Sequence, residues 1–145
     1  MFSAIFQTPP EPVIFKPANE VSEHFKLPVL QPGETIRTAN LALGMNTASI
    51  GNGTDPLPKG VDIYGLRYAT NTTVLTNDYG VKTVIGANDV LIQDNIVLFT
   101  SNITYNYTVY NTDASGDAAL AAWLNAQYAA GAVGGNYVFL RIHPD

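Results

Sequence analysis

From residue 34 onward the chain runs in short stretches of β-branched and aromatic residues, each closed by Gly, Pro or Asn/Asp. Such stretches favour strands, and many of them in succession point to a β-sandwich or barrel. The predicted strands cover 35–43, closed by Gly44, then 61–68, 72–76, 81–85, 90–99 and 102–110. Residues 44–60 read as a loop from Gly51, Gly53, Pro56, Pro58 and Gly60, while 77–80 and 86–89 read as turns. The polar trio Gln93-Asp94-Asn95 inside 90–99 marks a turn or a bulge. The last stretch, 136–143, alternates strictly, with Val138, Leu140 and Ile142 on the expected core face and Tyr137, Phe139 and Arg141 on the other.

One segment departs from this pattern. Around residues 117–130 alanine dominates, and Leu120, Trp123, Leu124, Gln127 and Tyr128 fall at i, i+3, i+4, i+7 and i+8. This predicts one short helix with Asp117 as N-cap and Gly131 just past its end, laid as a lid on the core. The expected fold class is therefore all-β: a jelly-roll-like β-sandwich with one short helix and an extended N-terminal arm.

The arm reading comes from proline. Pro9, Pro10, Pro12, Pro17, Pro28 and Pro32 all fall within the first 33 residues, which excludes a continuous helix and disfavours central strands. Apolar groups recur between them, so an extended arm (1–33) would lay Phe2, Ile5, Phe6, Val13, Ile14 and Phe15 on a surface, followed by the sandwich domain (34–145). That surface belongs either to a neighbouring subunit or to the same domain, where the segment would be an edge strand.

Length and charge narrow the class of protein. The chain has 145 residues, 46% hydrophobic and 13% charged, enough for one domain with its own core. A net charge of −5, with seven Lys and Arg scattered singly, is not the clustered basic face of a nucleic-acid binder. No stretch of 18 apolar residues is present to span a membrane. Cysteine is absent, which removes disulfides, thiolate chemistry and cysteine-held metals. The first basic residue is Lys16, and Pro9, Pro10 and Pro12 break the opening apolar stretch, so the start does not read as a secretory signal. The expectation is synthesis in a host cytoplasm, combined with the uncharged Asn- and Thr-rich surface of an outward-facing β protein. The four Asn-x-Thr sites at Asn52, Asn71, Asn102 and Asn106 follow from that composition without glycosylation.

No catalytic constellation is visible, and no enzyme is expected. The two histidines, His24 and His143, stand far apart in sequence, and Glu20, Glu23 and His24 lie in the Pro-rich segment, so no metal site or cofactor is expected. Ser22 beside Glu23 and His24 makes no triad, and a Gly-x-Ser-x-Gly elbow and a Gly-Lys-Ser/Thr phosphate loop are both missing. Asp62, Asp78, Asp89, Asp94, Asp113 and Asp117 each sit where a turn or cap accounts for them. The binding alternative rests on Tyr105 and Tyr107, which alternate onto one strand face where exposed rings could stack on sugars. The competing reading of that row is core packing or a subunit interface.

A β-sandwich with an apolar Pro-rich arm, one helix and a neutral surface resembles the jelly-roll decoration (cement) proteins of tailed bacteriophages. Residues 61–67 and 136–141 also look like β-sandwich modules of bacterial surface proteins. The first resemblance implies a structural virion protein on the outer capsid surface. Its partners would be the major capsid protein and copies of itself in a homotrimer, with neither nucleic acid nor membrane bound. Phe2, Ile5, Phe6, Val13, Ile14 and Phe15 would be buried by another chain. The alternative is a carbohydrate-binding module of a tail, fibre or surface protein, using Tyr105 and Tyr107.

Overall fold

The computed structural model describes residues 21–46, 59–66, 89–99 and 107–144. They form two antiparallel sheets and one helix, a mainly-β fold. The elements in chain order are β1 (Val21–Lys26), β2 (Ala42–Asn46), β3 (Lys59–Gly65), β4 (Val90–Phe99), β5 (Tyr107–Asn111), α1 (Ala114–Ala129) and β6 (Tyr137–Pro144). The larger sheet has the order β1-β6-β3-β4, and β2 pairs with β5 as a separate ribbon.

Register decides which face of the larger sheet is apolar. Phe25 stands opposite Val138, Ile63 opposite Ile142 and Gly65 opposite Leu140, so these side chains share one face. That face is the core, joined by Ile92, Ile96 and Val97 of β4 and closed by Leu120, Trp123 and Leu124 of α1. Leu43 and Tyr110, an opposed pair on the ribbon, pack against the same cluster. The predicted core face of β6 is therefore the observed one. The opposite face is not simply solvated, because Phe139 and Arg141 are buried there too.

The strand over 90–99 stays continuous, and its polar trio forms a bulge. The register steps from Val61↔Val97 to Ile63↔Gln93, leaving extra residues on β4. Asn95 takes a left-handed φ of 51°, and its backbone N–H donates to Asp62 Oδ1 at 2.8 Å. Crossing this bulge lets the consecutive Ile96 and Val97 both bury.

Two expectations need correction. The helix begins three residues before the predicted cap: Asp113 is the N-cap, and its Oδ1 accepts from the Gly116 N–H at 2.8 Å. Asp117 instead sits in the first turn, where its Oδ1 accepts from Asn40 Nδ2 at 3.0 Å and from the Thr112 hydroxyl. The C-terminal signal holds, with Gly131 at φ 102° directly after the C-cap Ala130.

The second correction concerns 35–43, where residues up to Leu41 form no strand and Gly44 lies inside β2 rather than ending a strand. Ile36 has its backbone groups bonded to the Asn125 side chain, which takes the place of a neighbouring strand. In the N-terminal segment, residues 21–26 form β1, which among the described residues is an edge strand paired with β6, in line with the same-domain alternative for that stretch, and Leu27 enters the core. The predicted strands at 72–76 and 81–85, and the segment 1–20, lie outside the described residues.

Candidate functional site

The outward face of the β2–β5 ribbon is the best-formed exposed surface carrying a predicted site residue. Alternation along β5 sends Thr108 and Tyr110 inward and Tyr107, Val109 and Asn111 outward. Tyr107 is 73% exposed and Val109 49%, both large for apolar or amphipathic side chains on a strand. Opposite them on β2 stand Asn46 (to Tyr107), Gly44 (to Val109) and Ala42 (to Asn111). The Tyr107 phenol reaches diagonally across the ribbon, and a Cβ on Gly44 would fall 2.3 Å from its hydroxyl oxygen. Glycine there leaves room for the phenol to approach the β2 backbone. Among the described residues this face carries the Tyr107 phenol, Val109, Asn111, Gly44 and Ala42, without formal charge.

The far face of the larger sheet collects charge. Arg141 of β6, its side chain 1% exposed, pairs through Nη1 with Asp89 Oδ2, itself 10% exposed. Tyr64 lies opposite Arg141 in the register, and its ring meets His143 edge-on with centroids 6.1 Å apart. Asp62 stands opposite His143 and accepts from the bulge at Asn95. Lys26 places its ammonium 5.3 Å from the centroid of the Tyr137 ring. Among the described residues, no three His, Asp or Glu side chains converge to hold a metal ion.

The remaining carboxylates of the helix region hold the fold. Gln93 of β4 accepts from the Asp113 N–H at 2.9 Å, and the Thr112 hydroxyl receives the Leu41 N–H at 3.0 Å. Together with the Asp113 and Asp117 bonds, this ties the start of α1 to both sheets.

The predicted site residues divide accordingly. Phe2, Ile5, Phe6, Val13, Ile14, Phe15 and Tyr105 lie outside the described residues. Tyr107 is exposed, as a binding role requires. Tyr64 is on the other sheet, so it does not extend the Tyr107 row. Sequence reading missed Val109, which the same two-residue period places beside Tyr107, and Gly44, which it took for a strand terminator. It also missed the pairing of Asp89 with Arg141, which are 52 residues apart and joined only by the β3–β6 and β3–β4 pairings. No protein-family model, curated protein or solved structure matches the chain.

Proposed function

We propose that this protein acts by binding rather than by turnover, as a structural virion protein that decorates and stabilises the outside of a phage capsid. The observation that carries this reading is the uncharged outward ribbon face of Tyr107, Val109, Gly44 and Ala42. It comes together with aspartates that are spent on capping α1, holding the β4 bulge and neutralising Arg141. A jelly-roll sandwich is the finer architecture that goes with this role. The partners are the major capsid protein and further copies of this chain, in a homotrimer, with Phe2, Ile5, Phe6, Val13, Ile14 and Phe15 lying against a neighbour. Binding of this kind works by burying roughly 800 Å² per partner, repeated around a lattice.

The test is co-sedimentation of the purified protein with capsids of the virus that encodes it, alongside light scattering for its mass. Saturable binding that is lost on deleting residues 1–17, with the fold intact, supports the reading. Absence of binding by the intact protein overturns it.

A second reading, a carbohydrate-binding module, is favoured by one observation: the Tyr107 ring is exposed on the outward face that also carries Asn111. A glycan array separates the two readings, since loss of a glycan signal in Tyr107→Ala supports the module and an array without any signal removes it.

A further inference from the structure

Between β1 and β2 the chain runs as an irregular strap alongside α1. The strap is Leu27 to Leu41, both ends buried in the core and most of the intervening residues exposed. Leu27 is bonded to Gly135 and Asn136, and Leu41 to Thr112, but between these ends the backbone has no ladder. The long-range bonds of residues 28–40 are made at three places, along α1 and at Thr112 just before it. The Pro28 carbonyl accepts from the Tyr128 hydroxyl near the C-terminal end of α1. In the middle, Asn125 accepts from the Ile36 N–H at 2.9 Å and donates to the Ile36 carbonyl at 2.8 Å. Toward the N-terminal end, Asn40 donates to Asp117 at 3.0 Å and to Thr112 Oγ1 at 3.2 Å. A turn at Gln31–Glu34, with Pro32 followed by Gly33 at φ 84°, interrupts the strap between the first two anchors.

We propose that this strap is a releasable clasp, and that β1 and residues 27–41 open as one unit while α1 and the β6-β3-β4 sheet stay folded. The proposal concerns how the chain opens and does not depend on what the protein binds. Three observations carry it. Among the described residues β1 is an edge strand with β6 as its neighbour, so its departure leaves β6 paired to β3. Between its buried ends the strap is held by a few side-chain bonds rather than a continuous ladder, the condition for low local stability. And β1 leads into the strap without a break, since Leu27 N–H donates to the Asn136 carbonyl at 2.8 Å and its own carbonyl accepts from Gly135 N–H at 2.8 Å. Loss of those two bonds frees the end of β1 and the start of the strap together.

Two variants at separate points probe the unit. Asn125→Ala removes both bonds to Ile36. Gly134→Ala acts elsewhere: a Cβ at Gly134 would fall 2.6 Å from the Val29 Cα, so the strap must move outward, and Val29 itself is exposed. Amide hydrogen exchange is measured by mass spectrometry on wild type and both variants. The expected result is faster exchange over the whole of 21–41 in each variant, by about tenfold for Asn125→Ala, which loses two hydrogen bonds. Exchange in β3 and β4 should stay at wild-type levels, and in β6 only the amides bonded to β1 should accelerate. Acceleration limited to the neighbourhood of Ile36 in one variant and of Val29 in the other overturns the proposal, and so does acceleration spread evenly over all strands. Trp123, the one tryptophan in the chain, gives an independent reading because Phe25 of β1 packs edge-on to it at 6.3 Å. Its emission should shift to longer wavelength in both variants under conditions where circular dichroism still shows folded protein, and unshifted emission also counts against the clasp.

Discussion

The backbone of Gly65 lies against the Trp123 indole so closely that a Cβ at Gly65 would fall 2.5 Å from Trp123 Cε2. The indole is fixed in that position from both sides. Its Nε1 donates to the Leu66 carbonyl at 3.0 Å, one residue beyond Gly65, and the Phe25 ring meets it edge-on. A bulky helix residue can thus sit directly on the sheet only where the strand has no side chain. Gly65→Ala should force the ring to shift and destabilise the fold by about 1–3 kcal/mol, the usual cost of overpacking. Urea unfolding checks this; a midpoint unchanged from wild type would show that the contact yields freely.

The Asp89–Arg141 pair makes the second prediction. Arg141 is buried, so removing its carboxylate leaves a charge in a poorly solvated place. Asp89→Ala should cost about 3 kcal/mol or more on that principle. Exchanging both partners for apolar groups, Asp89→Leu with Arg141→Met, should cost less than the single change. A double-mutant cycle of Asp89→Leu, Arg141→Met and the two together, by chemical denaturation, measures the coupling, and additive losses would mean that the two groups are not coupled.

How much of this was legible in advance depended on the range of the signal. β4 and β6 were readable because their apolar periods are local, and the core face of β6 was correct for the same reason. The helix was readable, but its start was not. Asp113 and Asp117 are both good caps, and the choice falls to Asp113 because Gln93, from another strand, receives the Asp113 N–H while Asn40 and Thr112 engage Asp117. The part of the strap from residue 35 on was misread as a strand since Thr and Ile favour β structure, while the group that satisfies Ile36 is a side chain 89 positions away. Exposure of Tyr107 was beyond sequence, where a core or interface role for the Tyr row was the favoured reading.

The cap assignment is itself testable. Asp113→Ala removes the acceptor for the Gly116 N–H and should destabilise the protein by about 1 kcal/mol. Asp113→Asn, which keeps a capping oxygen, should recover most of that loss. Thermal unfolding followed at the helix signal gives both numbers, and equal losses in the two variants would refute the cap role.

Tyr128 predicts a pH dependence. Burial raises its phenol pKa above the ordinary 10.0, and the neutral hydroxyl donates to the Pro28 carbonyl. In the unfolded chain the phenol loses its proton near its ordinary value, while the folded chain still holds it. Above about pH 10 the unfolded state therefore binds fewer protons, and stability contributed below that pH is lost as the pH rises toward the raised folded value. Tyr128→Phe should lower stability at neutral pH by about 1 kcal/mol through loss of the bond. It should also flatten the alkaline decline relative to wild type. An identical alkaline slope in the variant would assign the decline to other tyrosines.

The ribbon face separates binding from folding. Tyr107 and Val109 point outward, so replacing them should change stability by no more than about 0.5 kcal/mol, as for other surface positions. Tyr107→Ala removes the ring over Gly44, and Val109→Asp places a charge in the middle of an uncharged face. If this face meets a capsid subunit, Val109→Asp should weaken capsid co-sedimentation at least tenfold, since an unpaired charge would be desolvated there. If the face stacks on sugar, Tyr107→Ala should abolish glycan binding, whereas Val109→Asp should have a smaller effect because stacking depends on the ring. Measuring both variants against both ligands thus assigns the face, and a pair of variants that unfold would instead place these side chains inside a packed interface of the fold.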